Sequence, residues 1–342
     1  MTILNMNLGE KSYPINIGKG LLERANEYFD LNRKAFIITD SGVPHKYAES
    51  VEKVCKDATV FTITEGEGSK SISTLEEVLT AMSNAELKRS DCVIAVGGGV
   101  VGDLAGFAAS IYMRGVDFYN VPTSLLSQVD SSIGGKTAVN LGGIKNIVGS
   151  FKQPKAVLID TDVLSTLPIR QMRNGLCEAI KMAATCNAEL FEKLESLNEN
   201  DIYNNVEEII VEALKIKKTV VEEDEHECGL RKILNFGHTL GHGIEANEEL
   251  SGLYHGECVS LGMLPVCLGE AKKRLTSLLK KVSLPTEYSG DIQSALAYVT
   301  HDKKCSQEAI SVVICERIGS CKIEAMSISA FKELVISHYK CI

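Results

Sequence analysis

Short apolar runs that stop on turn residues, alternating with stretches of helical period, limit what this chain can fold into more than any other feature of it. "KAFIITD" (34–40) and "DCVIAVGGG" (91–99) read as buried strands. Between them "SISTLEEVLTAMSNAEL" (71–87) carries apolar residues at helical spacing, with Ser73 as its expected cap. "DFYNVPTS" (117–124) and "AVLIDTD" (156–162) add two more strands. Strands that alternate with helices predict an α/β unit, a parallel sheet with helices on both faces. The texture changes after Leu164. "RNGLCEAIKMAATCNAELFEKLESL", "IYNNVEEIIVEALKIKKTVVEED" and "RKILNFGHTLGHGIEANEEL" are long and helical in period, so a second, mainly α-helical domain is expected. A late pair, "AISVVICE" and "CKIEAM", reads as a hairpin turning at Ile318 and Gly319. The expected division is 1–162 for the α/β domain and 163–342 for the helical one.

Composition closes off some function classes. At 342 residues, 44% hydrophobic and 24% charged, the chain is of the soluble globular kind. Its net charge of -9 argues against a nucleic-acid surface, although a few lysines can still converge in an acidic protein. No apolar run reaches membrane-spanning length, and the first residues lack the basic start and apolar stretch of a signal peptide, so no membrane partner is expected. Eleven cysteines occur without a CxxC, several in apolar contexts such as "DCVIAV" and "SVVICE". They read as buried reduced thiols of a cytoplasmic protein, not as a zinc cluster.

"VGGGVVGD" follows an expected strand and opens a helix. Gly97, Gly99 and Gly102 satisfy GxGxxG, and with Gly98 between them the backbone can approach a pyrophosphate at a helix N-terminus. An ordinary dinucleotide loop has an acidic residue at the end of the following strand. Asp117 stands instead at the start of its strand, so Asp40, which ends "FIITD", is the better acid for a ribose. A tight strand-to-helix turn with no ligand is the other reading of these glycines. Further on, "VPTSLLSQVDSSIGGKTAVNLGGIKNIVGSFKQP" (121–154) sets Thr123, Ser124, Asp130, Lys136, Asn140, Lys145 and Asn146 among glycines, with few helix or strand runs. A loop that long is uncommon unless it binds something. Lys136 and Lys145, with backbone donors supplied by glycine, suit an anion; a solvated connection is the alternative.

"NFGHTLGHGIEA" (235–246) places His238 and His242 on one helix face, a turn apart. A zinc peptidase helix would carry Glu directly after the first His to activate water; Thr239 stands there. A catalytic zinc takes three protein ligands and leaves a position for substrate. His238 is one candidate and His255, in "LYHGECVSLGM", a second. Glu178, in "GLCEAIKMA", sits on an apolar helix face, which is costly for a carboxylate unless it is paired or bound to metal. Lys181 shares that face. On this reading His238 binds metal and His242 faces the substrate; a hydrogen-bonded pair of core histidines is the alternative. His45, His226, His301 and His338 are expected at the surface or in loops. Lys217, Glu227, Arg231 and Asn235 approach the His238 helix, and Arg231 suits a bidentate grip on a carboxylate.

Taken in order, "GGGVVGDLAGFAASIYMRGV", "VPTSLLSQVDSSIGGKTAVN", "KNIVGSFKQP", "TLP", "NGLCEAIK", "LNFGHTLGHGIEA" and "HGE" closely resemble the 3-dehydroquinate synthases, one family of sugar phosphate cyclases. The resemblance implies an NAD-binding α/β domain followed by a helical domain that holds Zn2+ or Co2+ through Glu178, His238 and His255. The implied substrate is 3-deoxy-D-arabino-heptulosonate 7-phosphate, and the products are 3-dehydroquinate and phosphate. Enzymes of this kind oxidise a ring hydroxyl with NAD, eliminate phosphate, return the hydride, open the ring and close a carbocycle by aldol addition. In the family the substrate phosphate takes the proton, which accounts for Thr239 where a base would otherwise stand. By the same resemblance Lys136, Asn146, Lys181, Lys217, Arg231 and Asp130 match substrate positions, and His242 and Asn235 lie among the polar groups at the reacting centre. Arg114 matches an arginine that reaches the phosphate of the neighbouring subunit, so a homodimer is implied. Asp103, Thr123, Ser124, Lys145 and Thr166 match NAD-side positions, Glu67 and Lys70 adenosine-side ones, and Lys303 a phosphate-side lysine. Gln171 stands where the family usually has Glu, Ser124 where Thr is common, and Met182 where an aromatic residue often follows the lysine.

Overall fold

The computed structural model describes residues 1–248, 252–301 and 309–340, and it divides into two compact units, Met1–Pro168 and Ile169–Ile342. Lys303 lies outside the described residues. Among those described, no helix is long and apolar enough to cross a membrane.

The first unit runs β1 (Thr2–Met6), β2 (Tyr13–Gly18), β3 (Lys34–Asp40), α1 (His45–Lys53), β4 (Asp57–Ile63), α2 (Ile72–Asn84), β5 (Cys92–Gly97), α3 (Gly99–Ile111), β6 (Asp117–Pro122), β7 (Lys136–Leu141), β8 (Ile144–Phe151) and β9 (Ala156–Asp160). Seven strands form one sheet in the order β1-β2-β9-β6-β5-β3-β4. Only the β1–β2 pair is antiparallel. Both faces are covered, so alternate residues of one strand enter opposite cores. Ala35 and Ile37 pack with Tyr47 and Val51 of α1. Phe36 and Ile38 pack with Val78 of α2 and with Leu104 and Ala105 of α3. This two-sided burial is why the strands read as unbroken apolar runs. Phe36 is wholly buried, and a side chain of that size contributes about 2–3 kcal/mol by leaving water.

The order of the strands fixes where a ligand can sit in this unit. From β3 the chain moves outward to β4, then returns to the other side of β3 as β5 and continues away through β6. The gap between the carboxyl ends of β3 and β5 is therefore the switch point of the sheet, where open α/β sheets bind ligands. Ile38 pairs with Ala95, so Asp40 and Gly97 end neighbouring strands.

Two expectations are corrected in this unit. The cap of α2 is Ser71, whose Oγ accepts from Thr74 N at 3.2 Å; Ser73 already lies inside the first turn, where its backbone is helical and cannot cap. The polar middle is not a long loop. A short π-helical turn spans Ser127–Ser131, and β7 and β8 pair as an antiparallel hairpin. The hairpin turns at Gly142 and Gly143, both at positive φ (60° and 77°), as tight hairpin turns require. Its strands carry no plain sequence signal because β8 is exposed at most of its positions and has no apolar run.

The second unit is built of α4 (Ile169–Cys186), α5 (Ala188–Ser196), α6 (Glu199–Asn204), α7 (Val206–Glu223), α8 (His238–Asn247), α9 (His255–Met263), α10 (Gly269–Lys281), α11 (Ile292–His301), the hairpin β10 (Ala309–Arg317) with β11 (Ser320–Ser327), and α12 (Ile328–Lys340). The hairpin turns at Ile318 and Gly319, and Gly319 N donates to Ala184 O at 2.8 Å, which seats the turn on the end of α4. His338 departs from the surface reading. It is half-buried on α12, with Nδ1 2.9 Å from Lys272 Nζ.

Candidate metal centre and dinucleotide loop

Three helices of the second unit carry the candidate ligands. Glu178 stands in the middle of α4 and is completely buried. His238 and His255 are the first residues of α8 and α9. The Nε2 atoms of both histidines lie 3.8 Å from Glu178 Oε1, and a nitrogen or oxygen from each of the three side chains falls within 4.8 Å of the others. Ligands about 2.1 Å from a tetrahedral ion stand roughly 3.4 Å apart, so little closure separates this arrangement from a metal site.

The hydrogen bonds around the three residues point the same way. Glu178 Oε2 accepts from Lys181 Nζ, whereas Oε1 is buried with no hydrogen-bond partner. A buried carboxylate oxygen left like this is costly unless a cation meets it. His238 Nδ1 donates to Phe236 O at 3.2 Å, and His255 Nδ1 to Glu245 Oε2 at 3.3 Å. Each imidazole therefore turns its other nitrogen, a lone pair in the neutral ring, toward Oε1. Burial, and next the Lys181 charge, push His238 well below its ordinary pKa, which keeps the ring neutral. Burial acts on His255 too, but the bond and charge of Glu245 outweigh it and leave His255 raised. The donor set of two imidazoles and one carboxylate is one that zinc and cobalt accept. His242 lies one turn on, its ring 5.1 Å from that of His238 and edge-on to it, and it is exposed.

Glycines bring α8 and α9 this close. Gly237 has a left-handed backbone (φ 78°), and a Cβ there would lie 2.5 Å from Met263 Cγ. A Cβ on Gly262 would lie 2.0 Å from Gly237 O and 2.8 Å from Gly241 N. The two helices thus touch backbone to backbone just beside the histidines. Gly262→Ala is expected to destabilise the protein by about 3 kcal/mol, because neither partner is a side chain that can swing away. Denaturant unfolding of the full chain reads this out, and an unchanged midpoint would contradict the close approach.

Further cations stand in the same unit. Lys181, Lys217 and Arg231 are buried. Arg231 follows a loop organised by Asp224, whose carboxylate accepts from the backbone N–H groups of Cys228, Gly229 and Arg231 at 2.7–3.0 Å. Those bonds, that from Gly229 foremost, hold the Asp224 carboxyl below its ordinary range. Arg231 Nη1 donates to Glu225 O at 2.5 Å, and Asn235 Nδ2 to Glu227 Oε1 at 2.5 Å.

In the first unit β5 ends at Gly97, and Gly98 caps α3, so the free N–H groups of a 13-residue helix open at the switch point. A Cβ on Gly98 would meet Ser124 Oγ at 3.5 Å, one on Gly99 would meet Ser131 Oγ at 3.2 Å, and Thr123 N donates to Gly97 O at 2.9 Å. The loop, Thr123 and Ser124 therefore form one group. Asp103 pairs with Lys70 at 2.5 Å. Asn140 Nδ2 donates to Glu67 Oε1 at 2.8 Å, and Asn140 Oδ1 accepts from Asn146 N at 2.9 Å. Asp103 and Lys136 line one small pocket with Asn120 and Lys152. Asp40 accepts from Gly42 N and Val43 N. Burial, and after it the Glu65 charge, raise its carboxyl although both N–H bonds act the other way. Thr166 bonds the Tyr47 hydroxyl at 2.8 Å. Asp130 and Lys145 are half-buried, and Arg114 stands exposed in the turn after α3. Sequence reasoning missed Glu245, Asn174 and Asp224. Glu245 lies seven residues after His238 on one helix face, a signal that was there to be used.

A family model described as 3-dehydroquinate synthase N-terminal matches residues 60–174, and one described as 3-dehydroquinate synthase C-terminal matches residues 175–305. A 3-dehydroquinate synthase of Enterococcus faecalis is 43% identical over 342 residues, covering 94% of this chain and 95% of the relative. The chain belongs to the 3-dehydroquinate synthase family. Its fold is that of the sugar phosphate cyclases. A 2-deoxy-scyllo-inosose synthase, solved with carbaglucose-6-phosphate, NAD+ and Co2+, has a TM-score of 0.89 at 27% identity and covers 98% of this chain and 99% of its own. The 2-epi-5-epi-valiolone synthase ValA of Streptomyces hygroscopicus, solved with NAD+ and Zn2+, has a TM-score of 0.86 at 25% identity, with the same coverage. The α/β unit and the helical unit expected from the sequence are those of the 3-dehydroquinate synthase fold.

Proposed function

We propose that this chain carries out the reaction of its family, converting 3-deoxy-D-arabino-heptulosonate 7-phosphate to 3-dehydroquinate and phosphate as a carbon–oxygen lyase. The observation that carries the proposal is the bare, buried Glu178 Oε1 facing two imidazole nitrogens. NAD and Zn2+ or Co2+ are the proposed cofactors, with Glu178, His238 and His255 as ligands to the ion. When bound, NAD supplies a reversible hydride acceptor and the ion a Lewis acid for substrate oxygens.

The chain's own residues do the rest. Lys181, Lys217 and Arg231 are buried cations, which suit a substrate that brings a carboxylate and a phosphate of its own. Arg231 offers the planar fork for the carboxylate, and His242 and Asn235 supply polar contacts to the hydroxyls. Lys136, Asn146 and Asp130 complete the substrate set. Gly97, Gly98, Gly99, Thr123, Ser124 and Lys145 hold the dinucleotide phosphates, Asp40 and Thr166 the ribose side, and Glu67, Lys70 and Asp103 the adenosine side. Backbone strain supports these choices. Of the six non-glycine residues at positive φ among the described residues, Arg114 (67°) and Asn146 (55°) are proposed substrate residues, and Glu227 (60°) holds the Asn235 amide. Strain of this kind collects at functional sites.

A phosphate-release assay with the heptulosonate phosphate, NAD and zinc, beside a chelated control, tests the proposal. Metal-dependent phosphate release without net NADH is expected. Steady NADH production would identify a dehydrogenase instead.

A homodimer is also proposed. Ile111, Met113, Ile147 and Phe151 are exposed, and Ser150 Oγ donates to Ser110 Oγ at 2.8 Å, which draws β8 to the end of α3 where Arg114 stands. An apolar surface of this kind beside an arginine suits a second copy. If Arg114 serves the neighbouring site, Arg114→Ala and His238→Ala proteins are each inactive alone, and mixing their subunits restores about a quarter of wild-type activity, because each mixed dimer gains one complete site. No recovery, with subunit exchange verified, would place Arg114 in its own subunit's site or in none.

A further inference from the structure

We propose that Asn174 is a positioning residue that sets the spacing of the metal ligands by capping α9 from α4, an inference that rests on the metal reading above. Asn174 is buried, one turn before Glu178 on the same face of α4. Its Oδ1 accepts from Gly256 N at 2.6 Å. Gly256 follows His255, so this amide is one of the first-turn N–H groups of α9 that the helix itself leaves unsatisfied. The residue at the cap position is Tyr254, whose long side chain makes no capping hydrogen bond to that amide, and its own N–H is held by Glu257 at 2.8 Å. The acceptor that a cap residue would ordinarily supply comes from another helix instead.

The contact is close enough to fix a position. A Cβ on Gly256 would lie 2.2 Å from Asn174 O and 2.9 Å from its Oδ1, so the start of α9 rests directly on α4. The amide is itself held the right way round, because Asn174 Nδ2 donates to Gln171 Oε1 at 3.2 Å. Gln171 and Asn174 therefore orient the backbone that carries His255, as Glu245 orients its ring. His255 is tied at both ends, and the Asn174 hydrogen bond, with the main-chain contact at Gly256, sets the distance from its Nε2 to Glu178 Oε1. Partners of metal ligands at this remove change affinity by about 10–100-fold when removed.

Titration of Co2+ into the full-length protein, followed by visible absorption and by competition with a chelator, tests this without any assay of turnover. The wild type is expected to give the intense bands of a low-coordinate site, and His255→Ala to lose them. Asn174→Leu is expected to bind Co2+ at least about 10-fold more weakly, with altered bands. Asn174→Asp keeps an acceptor for Gly256 N and is expected to restore most of the affinity and the wild-type bands. Gln171→Leu, at a less buried position, is expected to weaken binding in the same direction and serves if Asn174→Leu fails to fold. Wild-type affinity and spectrum in both Asn174→Leu and Gln171→Leu would overturn the inference while leaving the metal reading intact. So would an Asn174→Asp protein as weak as Asn174→Leu. A wild type without these bands, or with bands indifferent to His255→Ala, would instead remove the metal reading and this inference with it.

Discussion

Glu178→Ala is expected to lower turnover below about one part in a thousand of wild type, a loss of roughly 4 kcal/mol or more in transition-state stabilisation. Two effects add. The only carboxylate among the three candidate ligands is removed, and the buried Lys181 loses its bond to the Glu178 carboxylate. Breaking a buried pair from one side costs about 3–5 kcal/mol, so this variant should also unfold more easily. His238→Ala separates the two effects. It takes away a ligand but leaves the Glu178–Lys181 pair whole, so turnover should fall as far while unfolding changes much less. Steady-state rates and denaturant unfolding of both variants, at matched metal content, provide the comparison. Near-normal rates in both would refute the ligand set. Equal losses of stability would mean that breaking the Glu178–Lys181 pair is not what unfolds the Glu178→Ala protein.

Arg231→Lys is expected to reduce kcat/KM for the heptulosonate phosphate by about 100-fold or more, although the charge is kept. A lysine cannot present two parallel N–H bonds to a carboxylate, and its ammonium would not reproduce the contact that Arg231 Nη1 makes with Glu225 O. The effect should depend on the substrate's carboxylate. Carbaglucose-6-phosphate, the ligand of the related 2-deoxy-scyllo-inosose synthase, has none, so its binding should change little. Calorimetric binding of both compounds to wild type and variant decides the matter. Equal losses for the two would assign Arg231 to the phosphate or to the fold, and would weaken the case for a carboxylate-bearing substrate.

Much of the fold was legible because burial on both sheet faces leaves a plain mark in sequence. β3 and β5 are continuous apolar runs, and their turn residues mark the ends where Asp40 and Gly97 stand. β7 and β8 left no such mark, since a hairpin exposed along one strand needs no apolar run. The cap of α2 was misplaced by two residues because two serines flank Ile72 and only backbone geometry distinguishes them. In the candidate site, Glu178 stood out as a charge on an apolar helix and His238 by its spacing from His242, whereas His255 was marked only by standing before a helical run. Asn174 and Asp224 were not legible, because each acts on backbone amides, and an amide donor has no letter of its own; Glu245 shares a helix face with His238, but the ring it holds, His255, belongs to another helix.

The contact of α8 with α9 through Gly237, Gly241 and Gly262 has a mechanical consequence. Helices kept apart by side chains can slide as rotamers exchange, whereas these two meet along bare main chain and have no such slack. The imidazoles are then mounted on a rigid frame. Ions of unequal radius would be accommodated by the swing of a single carboxylate, and metal choice would be settled at Glu178.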